Sequence, residues 1–197
     1  MNLKDSQTRI NLMRSFAGES QARNRYTYAA EAAKSQSLHV IEAVFKFTAN
    51  QEKEHGKIFY NYLKEMTGEN ITIDGSYPVD IYDDVLKLLR SAQHNEFEEF
   101  EPVYPDFAAV ANQEGFTNIG AKFNQIAKIE KTHGDRFGMF ADLLEQGKLF
   151  VSDVEEEWMC LNCGYVHKSS EAPKSCPVCS HPQGYFVRLK LAPFTAV

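Results

Sequence analysis

Long stretches of the chain place apolar residues at the spacing of an α-helix. One side chain in every three or four suits a buried position between about residues 5 and 35, and again between about 38 and 66. A third such stretch starts near Asp80. The fourth, from about 117 to 146, has the most regular stripe and stops at Gly147. The pattern therefore predicts four long amphipathic helices.

The predicted stripes are not wholly apolar, because each has at least one glutamate near its middle. The stripes are Leu12, Phe16, Glu19, Arg23, Tyr26 and Ala30; Ile41, Val44, Thr48, Glu52, His55, Phe59 and Tyr62; Val85, Leu88, Ala92, Glu96, Glu99 and Val103; and Ile119, Phe123, Ile126, Glu130, His133, Phe137 and Phe140. Acidic and imidazole groups at core positions call for a common explanation.

The segments between the helices define the predicted topology. Turn-forming residues between 67 and 79 indicate a long crossover between the second and third helices. Pro102 and Pro105 are expected to kink or interrupt the third helix, with a shorter helical piece resuming at Pro105 and ending at Glu114-Gly115. Four helices with one long central connection predict an all-α, ferritin-like four-helix bundle.

The composition changes after the bundle. We predict a bundle domain at 1–147, a linker at 148–157 that runs into a strand, and a small β-rich module at 158–197. A module of about 40 residues buries too little surface to fold without a disulfide or metal cross-link. All four cysteines lie in this module and can form that cross-link.

Composition and charge narrow the classes of partner. Apolar residues make up 43% and charged residues 24% of the 197 residues, which is ordinary for a soluble globular protein. A formal net charge of −6 disfavours binding to a nucleic-acid backbone. The amino terminus has no apolar signal region and no run is long enough to span a membrane, so we expect a cytoplasmic protein.

Two Glu-x-x-His pairs suggest a metal site in the bundle. A glutamate and a histidine three residues apart leave the same face of a helix about 5–6 Å apart at Cβ, which is within reach of one ion. The inward-facing candidates are Glu19, Glu52, His55, Glu96, Glu99, Glu130 and His133. Five buried carboxylates would repel one another without a cation. We therefore predict a two-metal centre, for which carboxylates and imidazoles favour iron or manganese.

Charge indicates what such a centre does. Two ferrous ions, or two ferric ions with a bridging oxide, bring the same +4 against the five carboxylates, so two electrons can leave with little change in buried charge. This suits two-electron reduction of dioxygen or peroxide. Glu99 exceeds the usual set of four Glu and two His and is a ligand, a neighbour of the ligands or a solvated residue. Tyr26 and Tyr104 are candidate donors to ligating carboxylates.

The remaining histidines receive no role from the sequence. His39, His94, His167 and His181 lie near helix ends, in loops or off the stripes, so solvated side chains are expected.

The cysteines form two Cys-x-x-Cys pairs separated by 12 residues. They are Cys160 and Cys163, followed by Cys176 and Cys179. In a reducing compartment this pattern indicates a four-thiolate metal site rather than disulfides. Tetrahedral thiolates suit zinc and iron alike. We favour iron because a redox centre in the bundle needs a supply of electrons.

The two parts together resemble the rubrerythrin family, in which a ferritin-like di-iron bundle precedes a rubredoxin-like domain. The resemblance covers essentially the whole chain, and its motifs are Gly18-Glu19-Ser20, Glu52-Lys53-Glu54-His55, the Glu96 and Glu99 pair leading to Tyr104-Pro105-Asp106-Phe107, Glu130-Lys131-Thr132-His133, and the knuckles Cys160-Leu161-Asn162-Cys163-Gly164-Tyr165 and Cys176-Pro177-Val178-Cys179. One departure is Pro102, which makes the path from Glu99 to Tyr104 uncertain.

The resemblance implies specific residue roles. All seven inward-facing candidates would be di-iron ligands, with one iron moving between Glu99 and His55 as the redox state changes. Tyr26 and Tyr104 would donate hydrogen bonds to the ligands. The four cysteines would hold one further iron. The resemblance also implies a homodimer in which this iron of one subunit serves the di-iron site of the other.

The leading functional hypothesis is a peroxidase that reduces hydrogen peroxide to water in defence against oxidative stress. No Gly-x-Gly-x-x-Gly motif occurs, so a separate NAD(P)H-linked reductase or a rubredoxin is expected to supply electrons. The alternative is a ferroxidase or iron-handling protein of the ferritin-like class. A third, non-enzymatic hypothesis treats the tail as a zinc-ribbon docking module on a storage bundle.

Overall fold

The computed structural model describes residues 2–193 and contains the predicted helical bundle. Its helices are α1 (Gln7–Ser35), α2 (His39–Tyr62), α3 (Val85–Glu98), a π-helical turn (Glu99–Val103), α4 (Tyr104–Gln113) and α5 (Thr117–Glu145), with short 3₁₀ turns at Leu3–Asp5, Lys64–Met66, Gln183–Tyr185 and Leu189–Leu191. Helix α1 packs on α2, while α3 and α4 pack in succession along α5. The third helix of the bundle is thus an interrupted one.

The interruption falls where Pro102 predicts it. Pro102 lies in the π-helical turn, and the preceding Glu101 leaves the helical conformation with φ −158° and ψ 111°. Pro105 does not break the chain, because it lies in the first turn of α4, where a helix tolerates proline. Helix α4 accordingly begins at Tyr104, one residue before the predicted restart.

The third helix begins later than predicted. We expected a start near Asp80, but α3 begins at Val85. The Asp84 side chain caps it by accepting hydrogen bonds from the backbone N–H groups of Leu86 and Lys87. Asp80 is engaged elsewhere, because its carboxylate accepts from Arg25 at 2.8 Å. The crossover therefore extends to residue 84.

The amino terminus of α1 is capped from two directions. The Ser6 side chain accepts from the backbone N–H of Arg9, as an N-cap residue does. Glu114, at the far end of α4, accepts from the backbone N–H groups of Gln7 and Thr8, both at 2.8 Å. These contacts satisfy three amides that the helix itself cannot pair. They also fix α4 against the start of α1.

The bundle core consists of two apolar clusters with a polar layer between them. One cluster lies on the side of Phe45 and Phe137, and the other on the side of Phe59 and Phe123. On each long helix the predicted ligands fall between the residues of the two clusters. Most residues of the predicted stripes are buried, but Arg23 is exposed and five others are half-buried, namely Phe16, Val44, Tyr62, Glu99 and Val103. Within residues 2–193, none of the helices is long and apolar enough to span a membrane.

The carboxyl-terminal part forms a small antiparallel sheet. Its strands are β1 (Val151–Cys160), β2 (Val166–Glu171) and β3 (Phe186–Arg188), in the order β2-β1-β3. Trp158 is fully buried at its centre. Residues 151–157, predicted as linker, already belong to β1, because they pair with β2 across an irregular register. The predicted domain boundaries stay a prediction, and residues 194–197 lie outside the described residues.

The sheet module packs against the end of the bundle at the turn between α1 and α2. Gly184 approaches so closely that a Cβ there would lie 1.8 Å from the backbone oxygen of Ser37. The Tyr185 ring stacks on the His39 imidazole with centroids 4.1 Å apart, and His181 packs edge-on against Tyr185 at 4.6 Å. The expectation of a solvated side chain at His39 is therefore wrong, because Tyr185 of the module covers its ring, while the His181 ring is half-buried against Tyr185 within the module.

Candidate metal centres

Four helices bring six of the predicted ligands together in the polar layer. Glu19 comes from α1, Glu52 and His55 from α2, Glu96 from α3, and Glu130 and His133 from α5. None is more than 6% exposed. They form two groups of four in which the ligand atoms lie within 4.8 Å of one another, and these groups are Glu19, Glu52, His55 and Glu130, and Glu52, Glu96, Glu130 and His133.

Glu52 and Glu130 belong to both groups. The Nδ1 atom of His55 lies 2.9 Å from a Glu130 oxygen and 3.1 Å from a Glu52 oxygen. The Nδ1 atom of His133 lies 2.8 Å from Glu52 and 2.9 Å from Glu130. The imidazole rings are nearly parallel, with centroids 5.6 Å apart. Two metal positions that share two carboxylates match this arrangement.

The donor atoms of the layer are buried without full hydrogen bonding. Both oxygens of Glu130, both ring nitrogens of His133 and one oxygen each of Glu19, Glu52 and Glu96 are buried and make no hydrogen bond of acceptable geometry, although several of them lie within 3 Å of one another. Buried polar groups are nearly always paired, so a set of unpaired oxygen and nitrogen atoms in one place needs another partner. Oxygen and imidazole donors that converge in this way fit a pair of metal ions.

The protonation of the layer points to the same need for positive charge. Burial alone would lower the pKa of His133, but its contacts with Glu130, Glu52 and Glu96 raise that pKa to about 12. Burial and the charge of Glu130 hold the pKa of Glu19 well above its ordinary value. Burial and the charge of Glu52 raise the pKa of Glu96 to about 8. Protons on these groups balance the carboxylates when no metal does.

Two buried tyrosines hold the carboxylates that the groups do not share. The Tyr26 hydroxyl donates to Glu96 at 2.5 Å, and the Tyr104 hydroxyl donates to Glu19. Burial raises the pKa of both phenols well above the ordinary value, so both remain donors. The chain between Glu99 and Tyr104, which contains Pro102, thus places the Tyr104 hydroxyl at the cluster.

Glu99 lies beside the cluster but belongs to neither group of four among the described residues. It opens the π-helical turn and is partly exposed, unlike the six other candidates. Burial and the charge of Glu130 hold its pKa well above the ordinary value. Its charge in turn raises the pKa of Glu19, so the two carboxylates are close enough to interact.

Arg136 is a neighbour of the cluster that the hydrophobic pattern of the sequence did not predict. Its guanidinium donates to Thr48 at 2.9 Å and to Gln51 at 3.1 Å, and it lies over the ring of Phe47. Burial lowers its pKa, while the charges of Glu96 and Glu52 oppose that shift. Its position one turn after His133 on α5 is the signal that could have identified it.

The four cysteines converge in the sheet module. Their sulfur atoms lie within 4.8 Å of one another, with Cys160 and Cys179 3.7 Å apart and Cys163 and Cys176 3.6 Å apart. A tetrahedral metal with bonds of about 2.3 Å to sulfur requires sulfur separations of about 3.8 Å, so the cysteines fit such a site. Cys163 is exposed, whereas Cys160 and Cys176 are buried.

Local backbone geometry explains the spacing of these cysteines. The carbonyl of Cys160 accepts from Gly164, which adopts φ +77°, and the carbonyl of Cys176 accepts from Ser180, which adopts φ +60°. Glycine adopts such a conformation without strain. A backbone N–H from His181 lowers the pKa of Cys179 to about 6, whereas the pKa of Cys163 is raised to about 12, because a backbone hydrogen bond from Tyr165 that lowers it is outweighed by desolvation and the three other cysteines. One thiolate is thus favoured in the cluster, and a bound metal would favour the others.

Comparison with known families gives this geometry a context. The family model for rubrerythrin matches residues 11–141, and the model for the rubredoxin-like domain of rubrerythrin matches residues 158–187. The chain belongs to the rubrerythrin family. It is 45% identical to rubrerythrin of Clostridium perfringens over 94% of this chain and 95% of that protein. It is 44% identical to rubrerythrin of Porphyromonas gingivalis over 96% of this chain and 93% of that protein.

Solved structures agree with the fold. A structure of nigerythrin in a mixed-valence state is 28% identical, with a TM-score of 0.61 over 93% of this chain and 90% of that one. A Desulfovibrio desulfuricans bacterioferritin shares the fold, with a TM-score of 0.65 and 21% identity over 75% of this chain and 86% of that one. The predicted family and fold class are confirmed. Membership implies a di-iron site in the bundle and one iron in the rubredoxin-like domain, and both donor sets fit these ions.

Proposed function

We propose that this chain is a peroxidase that reduces hydrogen peroxide to water at the bundle cluster. The observation that carries the proposal is the pairing of two ligand groups, sharing Glu52 and Glu130, with a four-thiolate site in the same chain. An iron pair bound in the bundle supplies both of the electrons that cleavage of one O–O bond requires. The balance is one peroxide, two electrons and two protons to two waters.

We assign the ligands of the pair from the two groups. Glu19 and His55 would hold one iron, Glu96 and His133 the other, and Glu52 and Glu130 would bridge them. Glu99 is our candidate for a ligand that exchanges with His55 when the redox state changes. Its position in a π-helical turn, outside the closest groups, supports an adjustable role.

The tyrosines position the unshared carboxylates and retain their protons. Tyr104 fixes one oxygen of Glu19 and Tyr26 fixes one oxygen of Glu96, which leaves the other oxygen of each free to bind metal. Both are fully enclosed, so water does not compete for these hydrogen bonds. We propose that both tyrosines, together with His55 and Glu99, take part in turnover.

Electrons would enter through the four-cysteine iron. The exposed Cys163 gives an external donor access to this site, and we propose an NAD(P)H-linked reductase or a rubredoxin as that donor. The module contacts its own bundle at Ser37 and His39, whereas Glu52 lies 13 residues further along α2, or about 20 Å at the helical rise. This separation favours delivery to the bundle of a partner chain, and we propose a homodimer.

The test is reoxidation of the chemically reduced, iron-loaded protein in a stopped-flow instrument. We expect hydrogen peroxide to reoxidise it much faster than air does. Comparable rates would overturn the peroxidase assignment. Many irons per assembled shell would support the ferroxidase alternative. Zinc in the cysteine site would favour iron handling or a zinc-ribbon docking module.

A further inference from the structure

A large cleft opens beside the bundle cluster. Its volume is about 820 Å³, and it lies between α1, the crossover and the interrupted third helix. Pockets for organic ligands measure about 300–1,000 Å³, so the cleft has the size of such a pocket. Hydrogen peroxide, with two oxygen atoms, fills only a small part of that space.

The inner end of the cleft lies against the proposed metal ligands. Glu99 and Tyr104 line it, and Tyr104 donates its hydroxyl to Glu19. Gly18, which precedes Glu19, also lines it. A Cβ added at Gly18 would meet only the Tyr77 ring, at 3.9 Å. Glycine at this position therefore leaves open space next to the cluster.

The walls suit an uncharged molecule with an apolar body. Tyr77, Pro78, Val103 and Phe107 contribute aromatic and aliphatic surface. The positive charge of Arg14 is paired with Asp74 at the mouth of the cleft.

The second arginine of the lining is paired as well. Arg25 forms a salt bridge with Asp80 at 2.8 Å, and both side chains are largely buried. An anionic substrate would have to displace one of these ion pairs to reach an arginine, whereas a neutral one would not.

We propose that the cleft holds the organic group of an alkyl or aryl hydroperoxide, with its peroxide end at Glu99, and that the chain reduces such hydroperoxides to alcohols. The inference rests on the proposed peroxidase function. The O–O bond of ROOH breaks, and two electrons and two protons yield ROH and water. An iron pair held by the bundle ligands would supply the electrons, and an external one-electron donor would replace them through the four-cysteine site.

The test compares Gly18→Leu with Gly18→Ala in the full-length, iron-loaded protein. Both replace a helical glycine, but only leucine fills the cleft. With cumene hydroperoxide as oxidant of the reduced protein, we expect Gly18→Leu to be slower than Gly18→Ala by about tenfold. With hydrogen peroxide the two variants are expected to agree within about twofold, because so small a substrate needs little of the cleft.

Binding provides a second readout that does not depend on turnover. Equilibrium dialysis measures uptake of 2-phenyl-2-propanol, the alcohol formed from cumene hydroperoxide, by the oxidised iron-loaded protein. We expect binding to Gly18→Ala and a loss of affinity of about tenfold in Gly18→Leu. Equal binding by the two variants would overturn the inference.

The outcomes separate this inference from the proposed function. If hydrogen peroxide reoxidises the reduced protein and cumene hydroperoxide does not, the inference is wrong and the peroxidase function stands. If neither peroxide reoxidises it, the peroxidase function is wrong and the inference falls with it.

Discussion

Glu52 and Glu130 lie on different helices, yet each faces both histidines of the bundle cluster at distances between 2.8 and 3.1 Å. The two groups of four ligands meet at these carboxylates. The cluster is therefore one unit rather than two adjacent sites. Loss of a shared ligand should affect both metals, and loss of an unshared ligand mainly one.

Replacement of a shared and an unshared glutamate tests this arrangement. We expect Glu130→Ala to abolish turnover and remove most of the bundle iron, whereas Glu96→Ala should retain about one iron there, because only one group loses a ligand. The absorption of the thiolate-bound iron should persist in both variants. Metal analysis per chain makes the measurement, with the exposed Glu98→Ala as control. Equal iron loss in the Glu130 and Glu96 variants would contradict the shared role.

The Tyr104 hydroxyl is expected to matter for turnover rather than for folding. Tyr104→Phe removes the hydrogen bond to Glu19 and leaves the ring packed against Phe59 and Phe123. We expect kcat to fall by about tenfold with iron content unchanged. Tyr60→Phe, which alters a tyrosine that is 55% exposed, is the control. Unchanged kcat in Tyr104→Phe would show that the Tyr104 hydroxyl has no role in turnover.

The ligand pairs within each helix were predictable from the sequence because they depend only on the helical period. Spacing of three residues placed Glu52 with His55 and Glu130 with His133, and central positions in the predicted stripes linked them to Glu19 and Glu96. Spacing within one helix does not say which carboxylates are shared. That depends on how α2 and α5 face each other.

The features that the sequence did not predict depend on contacts between distant residues. Asp84 rather than Asp80 caps α3, because Arg25 engages Asp80. The ring of His39 is covered by Tyr185, which is 146 positions away in the chain. Glu99 has the correct spacing for a ligand, but the π-helical turn that it opens sets it apart from the closest groups.

Glu114 should stabilise the fold through the amino terminus of α1. Burial raises its pKa, but hydrogen bonds from Thr8 and Gln7 outweigh that effect and hold the pKa below its ordinary value. A carboxyl group with a depressed pKa in the folded state contributes stability above its unfolded pKa and loses it as pH falls through the folded one. Glu114→Gln should therefore lower the free energy of unfolding by about 1 kcal/mol at neutral pH.

The pH dependence distinguishes this contribution from a general loss of packing. The difference between Glu114→Gln and the unmodified protein should shrink in acid, where Glu114 itself becomes protonated. Urea unfolding at neutral pH and in acid measures it, with the exposed Glu31→Gln as control. A difference that stays constant with pH would rule out the charge of Glu114 as its cause.

Electron delivery between chains is testable with a mixed assembly. Glu130→Ala chains lack the bundle site and Cys163→Ser chains lack the four-cysteine site, so each alone should be inactive with an external reductase. A hybrid of the two should recover activity if the proposed homodimer forms, because the intact cysteine site of one chain would then serve the intact bundle of the other. No recovery in a hybrid isolated as a stable dimer would contradict delivery between chains.

We propose that the four-cysteine iron and the bundle pair form one electron pathway to peroxide. Anaerobic titration of the fully reduced protein with hydrogen peroxide tests this pathway, with the thiolate-to-iron absorption as readout. With about three irons per chain, we expect this absorption, bleached on reduction, to return fully at about 1.5 peroxides per chain, because each peroxide takes two electrons. Oxidation of the bundle pair while the thiolate-bound iron stays bleached would show that the two sites do not form one pathway.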